Sequence, residues 1–131
     1  MLAPVVGGAC SGAHASAGRP ATVIHVSERD FTIHLPARIP AGNVRLIVHN
    51  RGPDMHELIV VRASDPHLPL RRDAATVDEE GLAPATLGAL EPGRPGSTRE
   101  LDLRLRPGTY EVFCNMAGHY LGGMSATFTV T

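Results

Sequence analysis

The chain has 131 residues, enough for one domain with a single hydrophobic core. Its formal net charge is −1, and its twelve basic side chains, all arginine, form no cluster of the kind that binds nucleic acid. No apolar run approaches the ~20 residues that a membrane-spanning helix requires. Composition and charge thus exclude a nucleic-acid-binding surface and a transmembrane helix, and they leave a small globular domain.

The first 20 residues form a leader of low sequence complexity, and we expect the domain to occupy residues 21–131. Leu2 to Cys10 resembles the end of a secretion signal, because small residues precede the cysteine as they do at a bacterial lipoprotein cleavage site. This apolar stretch is shorter than the core of a normal secretion signal, and no basic residue precedes it. Two interpretations therefore stay open: a signal whose Cys10 carries a lipid anchor, and a flexible N-terminal tail. We expect no disulfide between Cys10 and Cys114 under either interpretation.

Beyond the leader, apolar residues recur with a period of two, which is typical of β-strands. Between Arg99 and Arg106 leucine alternates with charged residues, which predicts a strand of an antiparallel sheet with one wet face. Pro107-Gly108 is a turn signal, so Thr109–Cys114 is predicted to return as the second strand of a hairpin.

The remaining strands are predicted by the same alternation and by the turn residues between them. They are Thr22–Ser27, Phe31–Leu35, Val44–Asn50, His56–Arg62 and Ser125–Val130. The pattern favours an all-β sandwich of about seven to eight strands. Ala63 to Gly96 interrupts the rhythm, and we expect one long surface excursion there, with at most a helical turn at Thr76–Gly81.

A glycine-rich segment near the C-terminus spaces three metal-binding side chains at intervals of five residues. These are Cys114, His119 and Met124, a thiolate, an imidazole and a thioether. Two histidines and a cysteine with a weak axial methionine are the ligands of electron-transfer copper sites. One further histidine from another strand is then required.

His56 is the best candidate for that second histidine. Strand alternation places His56 on the face of Leu58 and Val60, and it places Cys114 on the face of Val112. Both side chains stand at strand ends beside apolar neighbours, so we expect them to meet at one pole of the sandwich. The alternative is that Cys114 is a buried small hydrophobe and Met124 is core filler.

The other histidines are expected to be solvated or hydrogen-bonded rather than metal ligands; they are His14, His25, His34, His49 and His67. Neither Asp65 with His67 nor Ser125 near His119 has the nucleophile turn and third member of a hydrolase triad. We therefore reject a hydrolase triad.

The stretch GTYEVFCNMAGHYLGGM, residues 108–124, resembles the copper-binding loop of cupredoxins, the plastocyanin and azurin superfamily. Its two five-residue steps are most similar to those of rusticyanin, auracyanin and sulfocyanin-type members. Upstream, PAGNVRLIVHN followed by MHEL resembles the strand that leads to the family's first histidine. The resemblance covers residues 21–131 and implies a Greek-key β-sandwich holding one copper ion through His56, Cys114, His119 and Met124. Glu57 departs from the asparagine that many members carry, which affects the hydrogen bonds around the site.

The resemblance implies a mononuclear type 1 (blue) copper protein that carries single electrons between redox partners as copper cycles between Cu(I) and Cu(II). Because such a protein binds no substrate and breaks no bond, we expect it not to be an enzyme. We expect a monomer located outside the cytoplasm, either in the periplasm or at the cell surface. Lipid attachment through Cys10 is one way in which the protein would be held there. Donor and acceptor proteins would dock transiently near His119, where Met55, Leu121 and Met116 are candidates for an apolar patch. The alternative is a copper-binding or copper-delivery protein that uses the same ligands. A β-sandwich that binds no metal is a third possibility.

Overall fold

A computed structural model describes residues 19–63, 65 and 67–131 of the chain. Residues 1–18, with Cys10 and His14, lie outside the described residues, so the interpretations of the leader stay predictions. Among the described residues, no helix is both long enough and apolar enough to span a membrane.

Nine strands and two short helical turns make up the described chain. The strands are β1 (Thr22–Arg29), β2 (Thr32–His34), β3 (Arg38–Ile39), β4 (Gly42–Asn50), β5 (His56–Arg62), β6 (Thr86–Gly93), β7 (Thr98–Leu105), β8 (Gly108–Phe113) and β9 (Ser125–Val130). The helical turns are α1 (Glu79–Leu82) and a 3-10 turn at Ala83–Ala85.

The strands form two sheets, in the orders β2-β1-β4-β7 and β3-β9-β8-β5-β6. The pairs β1–β4 and β3–β9 are parallel, and the other pairs are antiparallel. This arrangement confirms the predicted all-β sandwich, with strands β3 and β6 in addition to the seven that the alternation pattern marked.

The hydrophobic core lies between the two sheets, and the strands of the four-stranded sheet bury alternate residues against it. In β4, Val44, Leu46 and Val48 are almost fully buried, whereas Arg45 between them is exposed. From the facing sheet, β5 and β8 contribute apolar side chains to the same cluster. This core continues up to Cys114 and Met124, at one pole of the sandwich.

The predicted hairpin of residues 99–114 is wrong. Strand β7 pairs with β4, whereas β8 pairs with β5 and β9 in the other sheet. Pro107-Gly108 therefore carries the chain from one sheet to the other. The Tyr110 hydroxyl fixes this crossing: it donates to the Arg106 carbonyl oxygen at 2.7 Å and accepts from the Arg106 N–H at 3.3 Å. The alternation of apolar and polar residues predicts both strands equally well, but it does not indicate to which sheet each strand belongs.

The predicted surface excursion of residues 63–96 is only partly correct. Its second half forms β6, which pairs with β5 at the edge of the five-stranded sheet. Glycine and proline in TLGALEPG weaken the strand pattern, and an edge strand tolerates them. Its first half contains α1, which overlaps the predicted helical turn, and it covers the outer face of the sheet. There Leu68 and Val77 join Val61 and Phe113 in a second apolar cluster.

Glu111 is a buried carboxyl group on β8, 3% exposed. Burial raises its pKa to about 7, although the Ser125 hydroxyl and His67 favour the charged form. A carboxyl whose pKa is higher in the folded chain stabilises the fold at low pH, and this contribution is lost as pH rises. The free energy of unfolding should therefore fall between about pH 4.5 and 7 and then level off.

We predict that Glu111→Gln, which mimics the protonated acid, reduces this fall and is more stable than the wild type at pH 8 by about 1–3 kcal/mol. Urea denaturation of the metal-free protein between pH 4.5 and 8 measures the effect. Part of the fall in the free energy of unfolding with pH should persist in this variant, because burial also raises the pKa of Glu28 to about 7. Exposed Glu100→Gln is the matched control, and equal slopes for both variants would contradict the assignment.

Candidate metal centre

The four residues proposed as ligands converge at one pole of the sandwich. His56 opens β5, and Cys114 follows the last residue of β8. Because β5 and β8 are antiparallel, these two strand ends are neighbours. The loop after β8 brings back His119 and then Met124, immediately before β9. The structure therefore brings together the residues that alternation and spacing singled out.

Three side-chain atoms form a small triangle. His56 Nδ1 lies 3.2 Å from His119 Nδ1, and Cys114 Sγ lies 3.9 Å and 3.5 Å from these two nitrogens, respectively. A point equidistant from the three atoms is about 2 Å from each, close to the length of metal–nitrogen bonds in proteins. Two imidazole nitrogens and a sulfur suit a soft or borderline ion. The donors present thus fit a metal such as copper.

The centre is shielded from water. His56 and Cys114 are fully buried, and His119 is 9% exposed. Met124 is also fully buried, and it belongs to the same apolar cluster as Cys114. The backbone fixes this methionine beside the cysteine: Cys114 N–H donates to the Met124 carbonyl oxygen at 3.1 Å, and Met124 N–H donates to the His119 carbonyl oxygen at 3.0 Å.

The Cys114 thiol is held by the backbone of both ligand-bearing segments. Burial raises its pKa to about 11, although the backbone N–H groups of Met116 and Glu57 donate to the sulfur and favour the thiolate. The metal-free side chain is therefore a protonated, free thiol at neutral pH. A bound cation would stabilise the thiolate, which is the form that ligates metals.

Each histidine has a carboxylate near its outer nitrogen. His56 Nε2 lies 2.7 Å from Asp30 Oδ1, although the ring N–H is not aimed well enough for a regular hydrogen bond. His119 Nε2 lies 3.7 Å from Asp54 Oδ2. Burial lowers the pKa of His56, against the opposing effect of Asp30. The neutral ring required of a ligand is thus favoured, and carboxylates placed in this way orient metal-binding imidazoles.

Sequence reasoning missed Asp30 and Asp54. Asp30 follows β1, and Asp54 lies in the turn before β5, where acidic residues are common for reasons of turn chemistry alone. The backbone N–H of Asp54 donates to Asp30 Oδ1 at 3.2 Å, so the two turns support each other. Nothing in the spacing of these residues marks them as partners of the histidines.

Glu57, which stands where many cupredoxins carry asparagine, links the two ligand-bearing segments. Its half-buried carboxylate accepts the backbone N–H of Asn115, the residue after the cysteine. Burial raises the pKa of Glu57, and the neighbouring charge of Glu79 adds to this effect. The side chain at position 57 thus links the β4–β5 side of the centre to the loop.

The segment before β6 supports the loop from outside. Asn115 Oδ1 accepts the Val77 N–H at 2.6 Å, and Asn115 Nδ2 donates to the Val77 carbonyl oxygen at 3.1 Å and to Glu79 Oε1 at 2.6 Å. Gly118 N–H donates to the Ala75 carbonyl oxygen at 3.0 Å. These bonds anchor both ends of the segment Asn115–Gly118.

Exposed apolar side chains lie on the chain segments next to His119. Of the three residues anticipated there, Met55 and Leu121 are 42% and 55% exposed, whereas Met116 is half-buried against the core. Phe31 was not anticipated: it is exposed, and its ring meets that of His119 edge-to-face with centroids 5.2 Å apart. We refer to Phe31, Met55 and Leu121 as the His119 rim.

The other described histidines lie elsewhere. His25, His34 and His67 are exposed, and His49 is half-buried on the outside of the four-stranded sheet. Within the described part of the chain, no other group of three His, Cys, Asp or Glu side chains brings its donor atoms this close together.

Solved structures share this fold. Auracyanin B superposes with a TM-score of 0.65 at 25% identity, covering 86% of this chain and 90% of that one. Auracyanin A from Chloroflexus aurantiacus gives a TM-score of 0.63 at 18% identity, covering 86% and 100%. Rusticyanin from Thiobacillus ferrooxidans gives 0.61 at 15% identity, covering 86% and 79%. This chain has the cupredoxin fold. No protein-family model and no curated protein matches its sequence.

The structural similarity confirms the resemblance to auracyanin and rusticyanin that the two five-residue steps indicated. It extends over residues that the motif does not include, because 86% of the chain is covered in each of these matches. In this cupredoxin fold the candidate centre lies at the pole where β5, β8 and the loop before β9 meet.

We predict that Asp30→Ala weakens metal binding about 10–100-fold, the usual effect of removing the partner that orients a ligating histidine. Competition titration with a chelator of known affinity measures the change. Asp102→Ala is the matched control, because Asp102 is exposed and pairs with Arg45 on the four-stranded sheet. Equal affinities for both variants would contradict an orienting role for Asp30.

We predict that Asn115→Ala destabilises the metal-free protein by about 1–3 kcal/mol, because it leaves the N–H of buried Val77 without its hydrogen-bond partner, whereas the Val77 carbonyl oxygen still accepts from the Glu79 N–H. Urea denaturation measures the loss. Asn43→Ala removes an exposed amide on β4 and should change stability by about 0.5 kcal/mol or less. Similar losses for both variants would show that Asn115 does not anchor the loop.

Proposed function

We propose that this protein is a mononuclear type 1 copper protein that carries single electrons between redox partners. The observation that carries the proposal is the buried triangle of His56 Nδ1, His119 Nδ1 and Cys114 Sγ, with Met124 fixed beside it. This donor set matches electron-transfer copper sites. Auracyanin A, one of the proteins of similar fold, is described as a "blue" copper protein.

In this proposal His56, Cys114 and His119 would hold one copper ion, with the Met124 thioether as a weaker fourth donor. Copper supplies the chemistry of a one-electron change between Cu(I) and Cu(II). The chain's part is to keep the donors in place during that change. Asp30 orients His56, the amides of Met116 and Glu57 stabilise the thiolate, and burial excludes water from the donors.

The anchoring of the loop favours electron transfer over copper delivery. A delivery protein needs a route by which the ion leaves, and a mobile segment beside the centre would supply one. The segment before β6 is instead bonded to the loop through Asn115 and Gly118, and Glu57 joins the loop to β5. These contacts oppose opening of the loop and release of the ion. Copper delivery by the same ligands is therefore the less favoured, second candidate.

The His119 rim supports transient docking of a redox donor and acceptor. It places exposed apolar surface around the ligand with the most direct access to solvent. Small apolar patches suit weak, short-lived complexes of the kind that electron carriers form. In this proposal electrons enter and leave along the edge of His119, and the protein acts as a monomer that catalyses no reaction itself.

We predict that Cu(II) binds to the full chain at one ion per molecule and produces an intense visible band from thiolate-to-copper charge transfer. Cys114→Ser should lose the band, because serine supplies no sulfur donor. Absorption and electron paramagnetic resonance spectra during a titration measure both results. A colourless complex that is identical in the variant would overturn the proposal, and rapid transfer of copper to a chelator would favour delivery.

We predict that Leu121→Asp slows electron exchange with a redox partner about tenfold and leaves copper binding unchanged, because it places a charge in the apolar rim. Stopped-flow oxidation of the reduced protein by a partner cupredoxin measures the rate. Val23→Asp is the matched control, since Val23 is also exposed but lies at the far end of β1. Equal rates for wild type and Leu121→Asp would exclude the rim as the docking surface.

The proposal also places the protein outside the cytoplasm, at a membrane or cell surface if Cys10 is lipidated. The support is the signal-like sequence from Leu2 to Cys10. Mass spectrometry of the protein isolated from its native cells tests this directly. A diacylglyceryl modification at Cys10 is expected for a lipoprotein, and an unmodified chain that begins at Met1 would contradict export.

A further inference from the structure

Three histidines lie on the outer face of the four-stranded sheet, away from the candidate centre. His34 on β2 and His49 on β4 flank Ser27 of β1 in one row across the strands. His25 precedes Ser27 by two residues and therefore points to the same face. All three histidines line one shallow depression in the surface.

Two of these rings are already arranged like neighbouring ligands. His25 Nδ1 lies 3.1 Å from His49 Nε2, and the rings are stacked within 5° of parallel with centroids 5.4 Å apart. Two nitrogens bound to one ion at angles of about 90–110°, with bonds of about 2.1 Å, lie about 3.0–3.4 Å apart. In the metal-free chain this contact is a hydrogen bond, in which one ring donates its N–H to the nitrogen of the other; a cation bound to both nitrogens would replace that shared proton.

Thr98 prepares His49 for such a role. His49 Nδ1 lies 3.1 Å from Thr98 Oγ1, on the neighbouring strand β7. When the Nδ1 proton is donated to this hydroxyl oxygen, Nε2 carries its lone pair toward His25. A hydrogen bond on the remote nitrogen is what orients metal-binding imidazoles and fixes their tautomer.

We propose that His25 and His49, with Thr98 behind His49, form a second, surface-exposed site for a divalent cation that favours imidazole, Cu(II) or Zn(II). His34 lines the same depression and supplies an additional donor. Arg51 lines the same depression, and its positive charge makes this a site of modest affinity. Solvent completes the coordination, so the ion exchanges readily.

This site is independent of copper in the candidate centre. Ile24 and Val26 alternate with His25 on β1 and face the core, so the histidine projects from the opposite side of the sheet. No residue is shared with the cysteine-containing centre. The second site therefore goes beyond the proposed electron transfer, and the two proposals can be tested independently.

A titration of the full chain with Zn(II), after addition of one equivalent of Cu(I), tests the proposal by nuclear magnetic resonance of the histidine rings. Both ions are diamagnetic, so each ring stays visible. We expect the ring nitrogens of His25 and His49 to shift together and to saturate at one Zn(II) per chain. Shifts confined to His56 and His119 would overturn the proposal.

Variants give a second readout by calorimetric titration with Zn(II). His25→Ala and His49→Ala should each weaken binding at this site by at least about tenfold, and Thr98→Val by about tenfold. His67→Ala is the matched control, because His67 is exposed and precedes Leu68, which packs on the outer face of the five-stranded sheet. Equal affinities for His49→Ala and His67→Ala would contradict the site.

Discussion

The structure depends on keeping a thiol and two imidazoles together in a space that water does not reach. Burial alone disfavours this arrangement, since it raises the pKa of Cys114 and lowers that of His56. The fold compensates with directed polar groups: two backbone amides at the sulfur and a carboxylate near each histidine. The antiparallel pairing of β5 with β8 brings the first histidine and the cysteine to one pole, and the rest of the fold holds that pairing in place.

Rigidity around the centre would serve the electron transfer that we propose. A metal that changes charge by one electron moves its ligands unless the protein resists, and that motion slows electron transfer. Here the loop after β8 is bonded on three sides: to β5 through Glu57, to the segment before β6 through Asn115 and Gly118, and to itself through Met124. The segment before β6 thus acts as a support for the centre as well as a cover for the sheet.

The sequence predicted the sandwich, seven of the nine strands and the convergence of the candidate ligands, because alternation and five-residue spacing are local properties. It failed where the outcome depends on long-range pairing. Strands β7 and β8 carry hairpin-like patterns and a turn, yet each joins a different sheet. Glycine and proline interrupt the alternation in β6, and its position at the edge of the sheet tolerates them. Asp30 and Asp54 reach the histidines only through the tertiary fold, and the role of Glu57 becomes visible only in its bond to the backbone of Asn115.

A comparison of high-resolution crystal structures of the metal-free and copper-loaded protein tests the central claim, a centre assembled before the metal arrives. We expect copper between His56 Nδ1, His119 Nδ1 and Cys114 Sγ, with these atoms and the loop of residues 115–123 displaced by no more than about 0.5 Å between the two forms. A loop that refolds by several ångströms on binding, or an ion held by other residues, would contradict the account.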